Sequence, residues 1–193
     1  MKTLIVYAHP DTGGHCSAIC QVVHGFFSSH KLDYEFIDLY RIGFDPVLPA
    51  QEHYTRGHFK KSPQIESFQK KVKEADRLVF IYPVWWGTMP AIMKGFFDRV
   101  FTSHFAFRYV NGIPRGLLKG KKALVLITSG ANVFLSRAFQ GGRPVKNIRN
   151  DILGFCGVKA SVCQIGGANS FDDARGQMLK EVIGSRLKSF YRL

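Results

Sequence analysis

The sequence predicts a doubly wound α/β domain, a parallel sheet with helices on both faces. Three observations predict it. Short Val- and Ile-rich runs recur along the chain, each bounded by turn residues or charges, as expected of strands covered on both faces. Stripes of apolar residues at helical spacing lie between them, so strand and helix alternate as in βαβ units. A chain of 193 residues that is 46% hydrophobic can bury one substantial core and is an ordinary length for one domain.

Taken in order, Thr3–Ala8 (TLIVYA) reads as the first buried strand. A Gly-Gly turn follows, then a helix whose stripe is Ile19, Val22, Val23, Phe26 and Phe27. Tyr34–Leu39 (YEFIDL) alternates polar and apolar residues and reads as an edge strand. The Pro and basic residues of Phe44–Pro63 read as an excursion loop, not a domain boundary. Leu78–Tyr82 (LVFIY) is the next buried strand. Pro90 at a first-turn position opens a helix with Ile92, Met93, Phe96, Phe97 and Val100 on one face. Ala123–Thr128 (ALVLIT) and Ala160–Ile165 (ASVCQI) complete the buried strands. Ala174, Met178, Val182, Ile183, Leu187 and Phe190 form a C-terminal helical stripe. There is no internal repeat and no low-complexity stretch.

Composition excludes several classes. Gly 19 and Pro 8 are too few for a collagen-like or low-complexity chain. No apolar run approaches the roughly 18 residues of a membrane span, and the N-terminal run lacks the length and cleavage site of a secretory signal, so a cytoplasmic protein is expected. Cys16, Cys20, Cys156 and Cys163 contain no C-x-x-C pair, and no disulfide is expected in a reducing compartment. Cys156 and Cys163 suit small core positions. His24, His30, His53, His58 and His104 lack metal-ligand spacing and read as surface or loop residues, with no metal site expected.

Net charge is +13, unevenly placed: residues 1–97 carry 11 basic and 9 acidic side chains, residues 98–193 carry 16 and 5. The excess crowds into Arg115–Lys122 and Arg137–Arg149. Such a field serves solubility, and it also favours anionic ligands, nucleic acid or acidic surfaces. No basic helix or aromatic-basic interleaving of a nucleic-acid module accompanies it, so no nucleic-acid partner is expected.

In open α/β sheets ligands bind beyond the carboxyl ends of the strands, which nominates three loops. The first, His9-Pro10-Asp11-Thr12-Gly13-Gly14-His15-Cys16-Ser17, runs from a strand into a helix, where free N–H groups and the helix dipole suit a phosphate. Neither G-x-x-x-x-G-K-[ST] nor G-x-G-x-x-G is present there, which argues against a P-loop or a dinucleotide Rossmann site. The loop is equally read as a glycine turn with Ser17 or Thr12 capping the helix. The second, Pro83-Val84-Trp85-Trp86-Gly87-Thr88-Met89-Pro90, places two tryptophans in a turn, where both cannot be core; an exposed flat wall suits a planar ring. The third, Thr128-Ser129-Gly130-Ala131, has small residues that admit close approach of a ligand to backbone N–H groups. A phosphate cradle, an aromatic wall and a backbone-lined slot together suggest a phosphorylated planar heterocycle, and FMN fits.

The block Tyr82-Pro83-Val84-Trp85-Trp86-Gly87-Thr88-Met89-Pro90-Ala91-Ile92-Met93-Lys94-Gly95-Phe96-Phe97-Asp98-Arg99-Val100 resembles the signature of the flavodoxin-like NAD(P)H:quinone oxidoreductases, the DT-diaphorase-like family. His9-Pro10, Phe105–Tyr109 ahead of Gly116–Lys122, Thr128-Ser129-Gly130 and Cys156-Gly157 match in order, so the resemblance spans essentially the whole chain. It implies a flavodoxin-like five-stranded parallel sheet of order 2-1-3-4-5 over residues 1–193. It also implies a homodimer with its sites at the interface, and ping-pong hydride transfer from NAD(P)H through bound flavin to a quinone-like acceptor. His9 and the turn His15, Cys16, Ser17 would hold the flavin phosphate and ribityl chain. Pro83, Val84, Trp85, Trp86 and Gly87 would line the isoalloxazine, and Thr128, Ser129, Gly130 and Ala131 its pyrimidine end. Phe107 and Tyr109, with Trp86, would bound the substrate slot, the first two from the partner subunit. The flavin itself carries the hydride, so no catalytic side chain is expected.

Two departures accompany the resemblance. Many members have Ser-Phe-Asn where this chain has His15-Cys16-Ser17. Animal members place a Tyr and a His beyond the third loop, where this chain has Ser136 and Gly142. Backbone N–H groups, with Arg137 or Arg143, are then left to stabilise the reduced flavin. The chain lacks the C-terminal extension of the longer animal enzymes, which tilts the expectation to FMN over FAD. The alternative function is that of a flavin-binding ancillary subunit of a potassium-efflux system, docking on an acidic or membrane partner through its basic half.

Overall fold

The computed structural model describes residues 1–53 and 60–193, with residues 139 and 140 described by their backbone alone. The elements run β1 (Thr3–Tyr7), α1 (Gly14–Ser29), β2 (Tyr34–Asp38), a 3-10 turn (Ala50–Glu52), α2 (Pro63–Glu74), β3 (Arg77–Pro83) and α3 (Ala91–Val100). A hairpin of β4 (Phe107–Val110) and β5 (Ile113–Gly116) follows. The chain ends with β6 (Lys122–Thr128), α4 (Val133–Gln140), α5 (Arg143–Lys146), a π-helical stretch (Asn147–Gly154), β7 (Lys159–Ile165) and α6 (Asp173–Tyr191).

The main sheet is parallel throughout, in the order β2-β1-β3-β6-β7. Counting only these five strands, that is the expected order 2-1-3-4-5, with helices on both faces. Strand periodicity divides the core in two. Leu4, Val6, Phe80, Tyr82, Val125 and Ile127 face α2 and α3, meeting Phe68, Val72, Phe96 and Phe97. Ile5, Tyr7, Val79, Ile81, Leu124 and Leu126 face α1 and α6, meeting Ile19, Val23, Phe27, Leu179, Ile183 and Leu187.

Several expectations need correction. Ala160–Ile165 reads as a strand covered on both faces, but β7 is the second edge and only Cys163 and Ile165 are buried. The C-terminal stripe is rotated: α6 buries Leu179, Ile183, Leu187 and Tyr191, and Ala174 is exposed. Pro90 is the N-cap of α3, one position before its first turn. Not anticipated from the sequence are α2, the hairpin β4–β5, α4, α5, the 3-10 turn and the π-helical stretch. Helix α2 has Ser62 as its cap, accepting from the Ile65 N–H, Pro63 in its first turn, and Ile65, Phe68 and Val72 on its buried face. The hairpin β4–β5 and helix α4 expose most of their described side chains, so neither shows the apolar pattern of a core element.

Residues 44–53 of the excursion loop are pinned to the fold, and residues 54–59, His58 among them, lie outside the described residues. Phe44 is buried, and Glu52 makes a bidentate pair with Arg99 of α3 at 2.8 and 2.9 Å. Arg99 also donates to the Asp45 carbonyl at 2.6 Å and lies over the Phe44 ring. Arg99 is thus buried structure and not a surface charge, while Lys94 and Asp98 form an exposed i,i+4 pair. His24 is half-buried, bonded through Nδ1 to the Tyr34 hydroxyl at 2.8 Å and packed edge-on to Phe36. All four cysteines are free and buried. Among the described residues no helix is long and apolar enough to cross a membrane.

Candidate active site

The carboxyl ends of β1, β3 and β6 are neighbours in the sheet, so the loops that follow them share one rim. A cavity of about 400 Å³ opens there. Nine of the sequence-nominated residues line it: His9, His15, Cys16, Pro83, Val84, Trp85, Thr128, Ser129 and Gly130. Asp11, Gly13 and Gly14 of the first loop line it too.

The first loop delivers an open helix terminus. Gly13 is the N-cap of α1, and no side chain caps the helix; Ser17 and Thr12 do not fill that role. The Asp11 carboxylate accepts from the Gly13 N–H at 3.0 Å, one residue before the helix begins. The first-turn N–H groups, which have no partner inside any helix, are left for a ligand. Gly14 has φ +73°, a left-handed conformation in which glycine is unstrained. His9 Nδ1 accepts from the Asp11 N–H at 3.1 Å, which fixes the ring, and the ring lies 6.2 Å from that of Trp85.

His15 is buried rather than in solvent. Its Nε2 accepts from Arg175 Nε at 3.1 Å, and Phe171 meets its ring edge-on at 5.1 Å. Burial, reinforced by the Arg175 charge, holds the imidazole pKa below its usual value. With Nε2 accepting, the proton of the neutral ring sits on Nδ1. Cys16 Sγ lies 3.3 Å from Thr128 Oγ1, tying the first loop to the third, and burial pushes its thiol up to about 11. The Val84 N–H donates to the Thr128 carbonyl at 2.7 Å, tying the second loop to the third.

The second loop is a tight two-residue turn. Trp85 and Thr88 exchange both backbone bonds, at 2.9 and 3.0 Å, and the residues between, Trp86 and Gly87, have φ +52° and +76°. Positive φ at both positions is what such a turn requires. It leaves Trp85 as the wall and turns Trp86 wholly into solvent. Trp86 and Gly87 are therefore not part of the cavity lining. Ser17 also lies outside, a helical step beyond Cys16, in a neighbouring depression with Pro10, Thr12 and Cys20. Ala131 lies just past the rim. Phe107 and Tyr109 sit on the hairpin: Phe107 packs on Phe155 at 4.9 Å, and Tyr109 is exposed.

Sequence reasoning missed a fourth wall. Ala168, Asn169, Ser170 and Phe171, following β7, close the cavity, and Arg175 stands behind His15. The loop rule that nominated the other three would have nominated this one, but β7 is followed by a Gly-Gly turn and no residue of evident chemistry.

A flavodoxin-like fold with its cavity at these strand ends defines the class. The model of the Flavodoxin_2 family, a flavodoxin-like fold, matches residues 1–182. Ribosyldihydronicotinamide dehydrogenase [quinone] of Rattus norvegicus is 31% identical to this chain, covering 99% of it and 92% of the relative. The crystal structure of Smu.1420 from Streptococcus mutans superposes with TM-score 0.87 at 32% identity, over 98% of this chain and 100% of that one. An FMN-dependent NADH-azoreductase of Bacillus anthracis, solved with FMN, shares the fold at TM-score 0.74 and 22% identity, over 96% and 98%. The chain belongs to the Flavodoxin_2 family, among the flavodoxin-like NAD(P)H:quinone oxidoreductases.

Proposed function

We propose that this oxidoreductase takes FMN into the cavity at the ends of β1, β3 and β6, and uses it to carry two electrons from NAD(P)H to quinones or similar acceptors. The observation that carries the reading is the uncapped start of α1, opening into the same cavity as the Trp85 wall and the Ser129–Gly130 backbone. An anion at one end and a planar, hydrogen-bonding ring at the other are what that lining accepts.

The residues present fit FMN. First-turn N–H groups of α1, with His15 Nδ1–H, would hold the phosphate. Pro83, Val84 and Trp85 would lie along the ring, and the backbone N–H groups at Gly130 and Ala131 would meet its pyrimidine edge. When bound, FMN supplies the capacity to accept a hydride from NAD(P)H and then to reduce the acceptor at one shared site, in a ping-pong cycle. The chain's own part is orientation and exclusion of water. Bonds among the three loops hold the donors in place before any ligand arrives, so little reorganisation is needed on binding.

The rim supports a homodimer. Trp86 of the second loop, Phe134 and Leu135 of the helix that follows the third, and Tyr109 on the hairpin are all exposed. Large exposed apolar side chains of this kind are suited to an interaction surface, and a second copy would cover them. Tyr109, exposed and edge-on to Phe107, is the more accessible of the two for roofing the partner's site, since Phe107 also packs on Phe155 of its own chain.

The test is the visible spectrum of the purified protein, with the released chromophore identified by chromatography. The expected result is a flavin spectrum from FMN, bleached by NAD(P)H and restored by a quinone. A colourless protein that takes up neither FMN nor FAD would overturn the reading.

A further inference from the structure

We infer that Asn169 and Gln164 are positioning residues that turn the Gly130 and Ala131 N–H groups into a prealigned donor pair for the negative charge of reduced flavin; the inference rests on the FMN reading above. It begins with the carbonyls of Ser129, Gly130 and Ala131, which are tied back toward the segment after β7. The Ala168 N–H donates to the Ser129 carbonyl at 3.0 Å. Asn169 Nδ2 donates to the Gly130 carbonyl at 3.3 Å. The Ala131 carbonyl accepts from the Gly167 N–H at 3.4 Å and from Ser129 Oγ at 3.0 Å.

In a trans peptide the C=O and the N–H of the next residue point in opposite directions. Fixing the Ser129 and Gly130 carbonyls therefore turns the Gly130 and Ala131 N–H groups away from the β7 side. Neither N–H meets a protein acceptor among the described residues. Two adjacent, free and oriented donors beside a cavity are the arrangement that stabilises developing negative charge. The Tyr and His that animal members place here are replaced in this chain: Ser136 is buried in the loop's own network, and position 142 is a glycine with φ +68°.

Gln164 holds this loop from behind. Its Nε2 donates to Ser129 Oγ at 3.1 Å and to Ser136 Oγ at 3.3 Å, while its Oε1 is buried with no partner. A buried acceptor without a partner is costly, so the side chain is retained against that cost by what its amide holds. Because Ser129 Oγ accepts from Gln164, its hydroxyl proton is committed to the Ala131 carbonyl. Asn169 closes on the loop from the front: a Cβ at position 130 would lie 2.4 Å from Asn169 Oδ1. Only glycine lets the amide seat there. Gln164 lines no part of the cavity, so any effect it has on the flavin passes through Ser129.

Donors placed for an anion bind the reduced, negatively charged flavin more strongly than the oxidised, neutral ring. The test compares Asn169→Ala and Gln164→Met, both neutral changes, with the wild-type holoprotein. Affinity for oxidised FMN is read by fluorescence titration and the two-electron midpoint potential by spectroelectrochemistry. In Gln164→Met, whose side chain lines no part of the cavity, the expected result is oxidised-FMN affinity within about twofold of wild type; in both variants the preference for reduced over oxidised flavin falls roughly tenfold, about 30 mV toward lower potential. An unmoved potential in both variants overturns the inference. So does an equal loss of affinity for both redox states, which is what a merely structural role would produce. If Asn169→Ala fails to fold, Gln164→Met decides alone. A wild-type protein that binds no flavin would overturn the proposed function and this inference together, whereas an unmoved potential in a flavin-loaded protein removes the inference only.

Discussion

Replacing Arg175 by Met should separate recognition of the FMN phosphate from recognition of its ring. Arg175 donates from Nε to His15 Nε2 at 3.1 Å and from its terminal NH2 to the Gly166 carbonyl. It therefore holds His15 with Nδ1–H as the free donor beside the uncapped start of α1. Met keeps much of the aliphatic bulk but removes the charge and both donors. Hydrogen bonds to charged groups contribute roughly 1.5–3 kcal/mol, so FMN affinity should fall by roughly 10- to 100-fold. Riboflavin, which has the ring and no phosphate, should bind the variant as it binds the wild type. pH gives a second handle. Burial first, then Arg175, depresses the His15 pKa; without Arg175 one cause is gone and the pKa rises. As pH falls, the variant's imidazole takes a proton earlier than the wild type's, and the added charge attracts phosphate. The variant's deficit should therefore shrink toward acid pH. Titrations of flavin fluorescence across pH 6–8 measure all of this. Equal weakening of riboflavin and FMN, or FMN affinity within twofold of wild type, would refute the assignment of this corner to phosphate.

Further outcomes follow from other contacts. Glu52→Gln leaves Arg99 buried without its counter-charge and should cost about 3–5 kcal/mol in urea unfolding near neutral pH. Arg99 holds the Glu52 carboxyl below its usual pKa, so the wild type should keep this stability above the ordinary carboxylate range and lose it as pH falls through the depressed value; identical acid unfolding curves for wild type and variant would contradict this. Trp86→Gly relieves a left-handed residue at φ +52° that buries nothing in its own chain. The monomer should gain up to about 1 kcal/mol while self-association, followed by sedimentation, weakens; a less stable variant with unchanged association would count against the rim as an interface. Burial pushes the thiols of Cys16, Cys20 and Cys156 up to about 11, 12 and 12. A disulfide reagent at pH 8 should therefore find no fast-reacting thiol in the native protein and four after unfolding; one native thiol reacting like free cysteine would show that the fold opens there.

The sheet was legible because its strands are buried. β1, β3 and β6 have every residue, or all but the first, inside, so sequence and burial tell the same story. Where burial is partial the reading slipped. β7 has the Val and Ile content of a central strand yet lies at the edge, because apolar residues that face α6 and the π-helical stretch look like those of a two-sided strand. α2 was hidden by the irregular segment before it, although Ser62, Pro63 and its apolar spacing announce a helix. The site was half legible for a related reason. Backbone position is set by strand ends, which the pattern locates, so three loops were found. Side-chain direction is set by turn geometry and helix phase: Trp86 and Trp85 are neighbours in sequence, yet a two-residue turn sends one to solvent and the other to the wall. Arg175 was unreadable, since its partner His15 is 160 residues away and only the contact of α1 with α6 brings them together.

Part of the positive charge lies at the end of the sheet away from the candidate site. Arg77, Lys122 and Lys159 are register neighbours across β3, β6 and β7 at their amino ends. Like charges on Arg192 and Arg77 lower the Lys122 pKa, so these cations form one field. The candidate site is at the other end of the same strands. Lys122 and Thr128 terminate β6, and at ~3.3 Å per residue that separates them by ~20 Å. Exposed charges interact little beyond a Debye length of about 8 Å at physiological salt. The amino-end cations therefore do not hold a phosphate in the cavity; of the excess charge, only the cluster Arg137–Arg149, which follows β6 at its carboxyl end, lies on the side of the site. Under the proposed reading the groups that would meet the ligand are local: an open helix end, His15 oriented by Arg175, and backbone donors at Gly130 and Ala131. Binding through such hydrogen-bond geometry should lose far less affinity to added salt than binding through a surface field would.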